Sequence, residues 1–437
     1  MRIVEILLVE APHKPGYMAK VLGVVGEFGA TVEGLNAVRR LDKDTIWEVT
    51  VEYDDSLSIE TLFEQINTLP DTFITGKSDR VFNRHKKGKI ETVSKLNIDT
   101  LEILRDVYTP GVARVCQAIE HSPEKIKEFT NIQNTVAIVT NGTAILGLGD
   151  IGPEAGLPVM EGKAAIFAEF AGLSGVPILL KEKDPLKIIE IVEAISPSFG
   201  AILLEDIKAP ECFTIEDELI NRVNKPVFHD DQHGTAMVVL AALLSATKQT
   251  NIELKGKVFG QIGLGAAGMG ICNLLSEYGV KDVVGCDLSE DAQKKLLSLG
   301  GKPMELEQLM QTADVVVATT GVKGLIKPEW VREGQIIMAL TNPDPEIEPS
   351  VALENGALFA TCGKVVNNML AFPGLFKGTL AADVTKITHQ MKIAVSETLS
   401  ALAKNGALVP ASLNKEAHQK VAEAVYQAAI KQKNEYL

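Results

Sequence analysis

The sequence Lys257-Val258-Phe259-Gly260-Gln261-Ile262 leads directly into Gly263-Leu264-Gly265-Ala266-Ala267-Gly268, and the apolar stretch 266–278 follows. The pattern predicts a strand, a glycine turn and a helix in direct succession. Glycines allow a tight turn and close approach of the backbone to a pyrophosphate, and the helix N-terminus offers free N–H donors. We therefore predict a dinucleotide-binding α/β domain rather than a glycine-rich packing turn. The predicted pyrophosphate contacts are Gly263, Gly265, Ala266, Ala267 and Gly268.

The next predicted strand, 282–286, leads to Asp287, a carboxylate placed 24 positions after Gly263. A carboxylate at this position accepts hydrogen bonds from the ribose diol of NAD. The residues that follow, Leu288-Ser289-Glu290-Asp291, include no Arg or Lys to receive a 2′-phosphate. Asp287 therefore favours NAD as the cofactor, with NADP as the alternative.

Apolar patterns near the N-terminus predict six elements in the order βαββαβ. They are strand 3–9, helix 17–27, a hairpin of strands 31–38 and 45–53, helix 58–67 and strand 72–76. This order, with a Lys14-Pro15-Gly16 turn after the first strand, resembles the ACT domain, a ferredoxin-like regulatory module that commonly binds amino acids between paired domains. Any βαββαβ scaffold with a Pro-Gly turn is the alternative. The polar stretch 77–89 is interpreted as a linker rather than a nucleic-acid patch.

From Ile98 onward, helical segments alternate with the short apolar strands VAIVT, AILLE, VVVAT and IIMAL. Such alternation is typical of parallel sheets covered by helices. The 437 residues are too many for one ordinary core. A boundary is expected near the apolar helix 234–247, so we predict three domains. They are residues 1–80, the ACT-like domain; 90–245, a catalytic domain; and 246–437, a Rossmann-type dinucleotide-binding domain with C-terminal helices.

The composition excludes several classes of partner. A formal charge of −14 disfavours nucleic acid and anionic membranes, which both select for an excess of Lys and Arg. No apolar run approaches the roughly 20 residues that span a bilayer. The five cysteines are scattered without Cys-x-x-Cys spacing, which predicts reduced thiols in a cytoplasmic protein. A small-molecule partner is expected.

Two predicted strands end in paired carboxylates. The strand 200–204 runs into Glu205-Asp206, and the strand 226–229 runs into Asp230-Asp231. The carboxyl ends of parallel strands share one edge, where open α/β sheets bind ligands. Four acidic groups at that edge would repel one another without a cation, and oxygen ligands suit Mg²⁺ or Mn²⁺. The alternative is that each pair caps the following helix.

Several distinctive segments follow one another over roughly residues 95–400. They are Tyr108-Thr109-Pro110-Gly111-Val112-Ala113, Gly147-Leu148-Gly149-Asp150-Ile151-Gly152, Met160-Glu161-Gly162-Lys163, Glu205-Asp206, His229-Asp230-Asp231-Gln232-His233-Gly234-Thr235-Ala236, Thr341-Asn342-Pro343, and Val366-Asn367-Asn368 with Phe372-Pro373-Gly374. In content and in order these segments resemble the malic enzyme family, and most closely its compact bacterial type. The resemblance implies metal-dependent oxidative decarboxylation of (S)-malate to pyruvate and CO₂ with reduction of NAD.

The resemblance also implies a role for individual residues. Lys163 would be the general base and Tyr108 the general acid. The implied metal ligands are Glu205, Asp206 and Asp231, with Asp230 as a hydrogen-bonding carboxylate beside them. The implied contacts to substrate and to the nicotinamide side of the cofactor are Asn342, Asn367 and Asn368.

Elementary chemistry agrees with these roles. Hydride removal from an alcohol requires loss of the hydroxyl proton, which a lysine beside a divalent cation can accept. Loss of CO₂ needs an electron sink at the C2 oxygen, and the enol product then needs a proton on carbon. One position departs from the larger malic enzymes, because Ala144 stands where they have an arginine that clamps a substrate carboxylate. Arg114 is a candidate to bind the substrate carboxylate instead; the alternative is that Arg114 forms a structural salt bridge.

Two other functions fit part of the pattern. An ACT-linked NAD-dependent 2-hydroxy acid dehydrogenase without decarboxylation would share the nucleotide fold, but it would not need four carboxylates at strand ends. A catalytically inactive metabolite sensor would not need Lys163 and Tyr108. We further expect a small effector at the ACT domain and a homodimer or higher homo-oligomer.

Overall fold

A computed structural model describes residues 2–54, 56–77, 80–145 and 147–435. The chain divides into two compact units, Met1–Lys89 and Ile90–Leu437. No helix among the described residues is long and apolar enough to cross a membrane.

The first unit has the predicted βαββαβ order. Its elements are β1 (Arg2–Pro12), α1 (Tyr17–Glu27), β2 (Thr31–Arg40), β3 (Asp44–Asp54), α2 (Ile59–Asn67) and β4 (Phe73–Lys77). The antiparallel sheet has the order β2-β3-β1-β4, which is the ferredoxin-like arrangement. Alternate side chains of β1 and β3, such as Leu7, Val9 and Val49, are fully buried with Leu62 and Ile66 of α2. A short helix, α3 (Arg80–His85), lies within the stretch that was predicted as linker.

The second unit begins with helices and a four-stranded parallel sheet of order β6-β5-β7-β8. Its elements are α4 (Leu101–Val107), α5 (Val112–His121), α6 (Ile126–Phe129), β5 (Thr135–Thr140), α7 (Pro153–Ala171), β6 (Ser174–Leu179), α8 (Pro185–Ile195), β7 (Ala201–Leu204), α9 (Glu211–Arg222), β8 (Val227–His229) and α10 (Asp230–Thr250). Strands β5, β7 and β8 are short and buried on both faces, as expected where helices cover both sides, whereas the edge strand β6 is only partly buried.

The second sheet of this unit is also parallel, with the order β11-β10-β9-β12-β13-β14. Its elements are β9 (Phe259–Ile262), α11 (Ala266–Tyr278), β10 (Val283–Cys286), α12 (Glu290–Ser298), β11 (Lys302–Pro303), α13 (Leu306–Thr312), β12 (Val315–Ala318), β13 (Ile336–Ala339), α14 (Pro349–Glu354), β14 (Phe359–Cys362), α15 (Phe372–Ala381), α16 (His389–Leu402) and α17 (Lys415–Glu435). The predicted α/β class and the dinucleotide-binding arrangement of strand, glycine turn and helix are confirmed.

Helix α10 connects the two sheets and is buried along most of its length. It begins at Asp230, four residues before the predicted start at 234, because His229 caps it and aspartates are favourable in the first turn. Helix α10 packs against α11 so closely that a Cβ on Gly270 would lie 2.2 Å from the backbone oxygen of Gln232. The start of α10 and the dinucleotide helix α11 are therefore in backbone contact.

This contact predicts that Gly270→Ala destabilises the second unit. A methyl group would meet a carbonyl oxygen that cannot rotate away, so we expect a loss of about 1–3 kcal/mol of unfolding free energy. Thermal unfolding of the full chain measures it. Gly256→Ala is the control, since nothing lies within 4 Å of its Cβ position; equal stability of the two variants would contradict the proposed close packing.

Candidate metal and dinucleotide site

The predicted carboxylates meet at one edge of the first parallel sheet. Ligand oxygens of Glu205, Asp206 and Asp231 all lie within 4.8 Å of one another. Glu205 and Asp206 follow β7, whereas Asp231 lies in the first turn of α10 after β8. The backbone N–H of Asp206 donates to Asp231 Oδ2 at 3.0 Å. Parallel pairing of β7 with β8 therefore brings together residues that are 25 positions apart in the chain.

The backbone at Asp206 is left-handed, with φ of 52°. Non-glycine residues adopt this region rarely, although aspartate does so more readily than most. Such conformations persist where the surrounding structure enforces them, often at functional sites. Here the carbonyl of Asp206 accepts the N–H of Ala144 at 3.0 Å, which fixes the turn between β7 and the loop after β5.

The three carboxylates fit a divalent cation. Glu205 Oε2 is buried and has no hydrogen-bond partner among the described residues. Burial raises the pKa of Glu205, and Asp230 and Asp231 raise it further against the opposing charge of Lys163. A bound cation would stabilise the ionised form, and an all-oxygen set matches Mg²⁺ or Mn²⁺.

Lys163 of α7 lies beside this cluster. Its Nζ is 3.0 Å from Glu205 Oε1, contacts Asp230 Oδ2 and lies 4.5 Å from the centre of the Phe372 ring. Burial alone would lower the pKa of Lys163, but the charges of Asp230 and Glu205 outweigh it and raise the pKa. In the absence of a cation, the ammonium form is therefore favoured.

Asp230 is completely buried and accepts contacts from two polar side chains. Its Oδ2 accepts the side-chain amide of Asn368 at 2.6 Å as well as the contact from Lys163. A Cβ on Gly234 would lie 2.1 Å from Asp230 Oδ1, so a side chain at 234 would displace the carboxylate. The presence of glycine at position 234 in the His-Asp-Asp-Gln-His-Gly segment is therefore explained by the lack of space beside Asp230.

Three other predicted residues are placed differently. Tyr108 is the C-cap residue of α4 and is 68% exposed. Within the described part of the chain, no hydrogen bond, ion pair or ring contact joins it to Lys163 or the carboxylates. Asn367 and Asn342 are also exposed, and Asn367 Oδ1 accepts the N–H of Met369 at 3.0 Å. The fold thus brings Lys163, Asp230 and Asn368 together with the carboxylates but leaves Tyr108 apart.

The glycine loop has the geometry that its sequence implies. Gly263 has φ of 86°, and a Cβ there would lie 2.7 Å from the carbonyl oxygen of Thr319. A Cβ on Gly268 would lie 1.9 Å from the carbonyl oxygen of Gly263, so only glycine lets α11 start this close to β9. Asp287 Oδ2 accepts the N–H of Leu264 at 2.6 Å, and Oδ1 accepts the N–H of Ser289 at 2.8 Å. Asp287 therefore also fixes the glycine loop itself.

Two buried glutamates were not found by sequence reasoning. Glu346 accepts hydrogen bonds from the backbone and hydroxyl groups of both Thr320 and Thr341. It therefore joins the loop after β12 to the loop after β13, which contains Asn342. Glu216 of α9 accepts hydrogen bonds at the start of α10. Neither lies at a predicted strand end; the Asp-Pro context of Glu346 indicates a turn, and Glu216 has the pattern of a surface helix.

Comparison with known proteins gives a consistent result. The family model "Malic enzyme, N-terminal domain" matches residues 86–187, and "Malic enzyme, NAD binding domain" matches residues 232–304. NAD-dependent malic enzyme 1 of Bacillus subtilis is 48% identical over 430 residues, which cover 98% of each chain. NAD-dependent malic enzyme of Geobacillus stearothermophilus is 37% identical over 94% of this chain and 91% of its own. The solved malic enzyme from Pyrococcus horikoshii superposes with a TM-score of 0.77 and 38% identity, covering 81% of this chain and 91% of its own.

The carboxylate geometry predicts that Asp206→Asn and Asp231→Asn each weaken Mn²⁺ binding. Removing a ligand charge should weaken binding by more than the roughly 10–100-fold that loss of an outer partner costs. Direct titration of free Mn²⁺ in the substrate-free protein measures the dissociation constant. Asp291→Asn, at an exposed position on α12, is the matched control. Wild-type affinity in either test variant would remove that residue from the site.

Proposed function

The chain belongs to the malic enzyme family, and on this premise we propose that it catalyses the oxidative decarboxylation of (S)-malate to pyruvate and CO₂ with NAD as hydride acceptor. One observation carries the proposal: the largely buried Lys163 lies against Glu205, a member of a three-carboxylate cluster suited to a divalent cation, and against the neighbouring Asp230. The same compact unit carries the dinucleotide loop. The domain boundaries that we propose within this unit are 90–245 and 246–437.

The chemistry begins with a proton and a hydride. Removal of the malate hydroxyl proton to Lys163 Nζ lets the C2 hydrogen leave as hydride to the nicotinamide. Glu205, Asp206 and Asp231 would hold Mg²⁺ or Mn²⁺, which supplies Lewis-acid stabilisation of the oxygen on C2. With its charge engaged as a metal ligand, Glu205 would stabilise the protonated form of Lys163 less, so Lys163 would accept a proton more readily. Asp230 then holds Nζ in place for proton transfer.

Decarboxylation and protonation complete the sequence. The bond between C3 and its carboxylate breaks and CO₂ leaves, and the bonding electrons form the C2–C3 double bond of the pyruvate enolate, with the negative charge on the C2 oxygen. A proton must then reach C3, and we assign this step to the Tyr108 hydroxyl. That assignment rests on the family resemblance, since Tyr108 is exposed in the isolated chain. Asn342, Asn367 and Asn368 are proposed to contact substrate and the nicotinamide side; Asn368 already donates to Asp230.

The cofactor and the setting complete the proposal. Asp287 supports NAD over NADP, because a 2′-phosphate would approach a carboxylate that already fixes the glycine loop. Ala144 leaves the substrate carboxylate without the arginine of larger family members. All five cysteines are free, which supports a cytoplasmic enzyme. We propose a homodimer or higher homo-oligomer.

A coupled assay tests the function. Pyruvate, CO₂ and NADH should form from malate in equal amounts, only with Mn²⁺ or Mg²⁺, and more efficiently with NAD than with NADP. NADH formation without CO₂ would indicate a dehydrogenase that does not decarboxylate. No turnover with any divalent cation would indicate a metabolite sensor.

Lys163 and Tyr108 are predicted to act in different half-reactions. Lys163→Ala should abolish malate oxidation, whereas Tyr108→Phe should mainly slow protonation of enolpyruvate. A general acid or base contributes typically about 10²–10⁴-fold, so both losses should be large. Stopped-flow NADH formation and tautomerisation of enolpyruvate separate the two steps. Enolpyruvate tautomerisation at wild-type speed in Tyr108→Phe would disprove the acid assignment.

Residues 1–80 are proposed to form an ACT-type sensor. A cavity of about 690 Å³ lies beside the turn after β1. Its charged lining is mixed and comprises the basic side chains of Lys14 and Lys43, His13, and the carboxylates of Glu10, Asp42, Asp44 and Asp71. Gly16, with φ of 85°, is the N-cap of α1, and the dipole at this helix N-terminus favours a carboxylate. A ligand there changes activity only if it binds one arrangement of the enzyme better than another.

Deleting residues 1–80 should leave an active core that no longer responds to a small effector. Calorimetric and kinetic titration against amino acids and central metabolites identifies the effector in the full chain and tests its loss. Lys14→Glu should weaken effector binding, whereas Lys20→Glu, on the exposed part of α1, should not. An effector that acts equally on the truncated protein would rule out this domain as the sensor.

A further inference from the structure

Glu216 lies behind the carboxylate cluster, at the N-terminus of α10. Its side chain is buried, with the whole residue 4% exposed. Oε1 accepts the backbone N–H of His229 at 2.8 Å, and Oε2 accepts the side-chain amide of Gln232 at 2.9 Å. His233 Nε2 lies 3.0 Å from Oε2. One carboxylate therefore makes three hydrogen bonds to residues that surround Asp230 and Asp231 in sequence.

Glu216 is ionised at neutral pH. Burial alone would raise its pKa, but the hydrogen bond from His233 and the positive charge of Lys392 lower the pKa. An ionised carboxylate only accepts hydrogen bonds, so His233 must donate from Nε2. The negative charge also lies at the N-terminal end of a 21-residue helix, where the helix dipole stabilises it.

We propose that Glu216 is a positioning residue that fixes the first turn of α10, so that Asp231 and Asp230 project into the metal site in a fixed geometry. The inference rests on the metal site proposed above. Within the described part of the chain, no hydrogen bond or ion pair joins Glu216 to Lys163 or Glu205, so Glu216 acts through the turn that it holds. The opposite side of the turn is also fixed, because the carbonyl of Gln232 packs against Gly270.

The first turn of α10 needs such a restraint because it carries two adjacent carboxylates beside Glu205 and Asp206. Before a cation binds, their repulsion favours a displaced or frayed turn. Three hydrogen bonds accepted by a single buried anion oppose that displacement, and hydrogen bonds to a charged group are stronger than neutral ones. Partners that orient metal ligands in this way are typically worth about 10–100-fold in metal affinity.

The test is Glu216→Gln in the full chain, with Mn²⁺ as the probe. The glutamine Nε2 would face the donors of Gln232 and His233, so the hydrogen bonds that hold the first turn of α10 should be lost. We expect the Mn²⁺ dissociation constant of the substrate-free protein, measured from free Mn²⁺ by electron paramagnetic resonance, to rise about tenfold or more. NAD affinity, measured on the same samples, should change less than twofold. Glu218→Gln, on the same helix and paired with Arg222 at the surface, is the matched control.

Two further variants separate positioning from general stability. The double variant Glu216→Gln/Gln232→Glu exchanges acceptor and donor and keeps the charge, so it should recover part of the lost Mn²⁺ affinity. If Glu216→Gln does not fold, Gln232→Met removes one donor and should still weaken Mn²⁺ binding more than NAD binding. Hydrogen exchange over residues 227–236 of the metal-free protein should accelerate in Glu216→Gln.

Wild-type Mn²⁺ affinity in Glu216→Gln would overturn the inference. Parallel loss of Mn²⁺ and NAD binding, without recovery in the double variant, would also overturn it in favour of a purely structural role. If the wild-type protein binds no Mn²⁺, the proposed metal site is wrong, and the positioning role of Glu216 toward a metal is overturned with it. Faster hydrogen exchange in Glu216→Gln would then show only that Glu216 stabilises the first turn of α10.

Discussion

Repulsion among four carboxylates at the ends of β7 and β8 is the constraint on which the surrounding structure depends. Glu205, Asp206 and Asp230 are buried, and Asp231 adjoins them. Two like charges 4 Å apart cost roughly 4 kcal/mol at an effective dielectric constant of 20. The chain therefore needs compensating charge at this edge before any substrate arrives, and a divalent cation is the compensation that the ligand set suits.

The fold supplies the remaining compensation from several directions. Lys163 reaches the edge from α7 and contacts both Asp230 and Glu205. The N-terminus of α10 places backbone N–H groups and a favourable dipole beneath Asp230 and Asp231. Asn368 arrives from the segment before α15 and donates to Asp230. These groups come from separate parts of the sequence, so the site forms only when the whole second unit is folded.

The sequence predicts the elements of this unit better than the partners within the site. Strand-end carboxylates and the Gly263–Gly268 turn are recognisable because strand period and glycine geometry are local properties. The start of α10 at Asp230 was missed, because its buried length removes the amphipathic pattern that marks most helices. Glu216 has the local pattern of a surface residue, and only tertiary packing reveals that three donors converge on it. The exposure of Tyr108 is likewise a property of tertiary structure, which its local sequence does not encode.

The packing of α10 on α11 connects the two halves of the chemistry. Asp231 lies in the first turn of α10, and the glycine loop lies at the start of α11. Gly270 brings the two helices into backbone contact at Gln232, the residue that follows Asp231. Hydride transfer depends on the distance between a carbon held near the metal ligands and a nicotinamide held by the loop, and small displacements are costly. The metal ligand and the glycine loop lie on two closely packed helices, so rearrangement of side chains alone changes the distance between substrate and nicotinamide little. A change in the position of the cofactor must therefore move α10 as well.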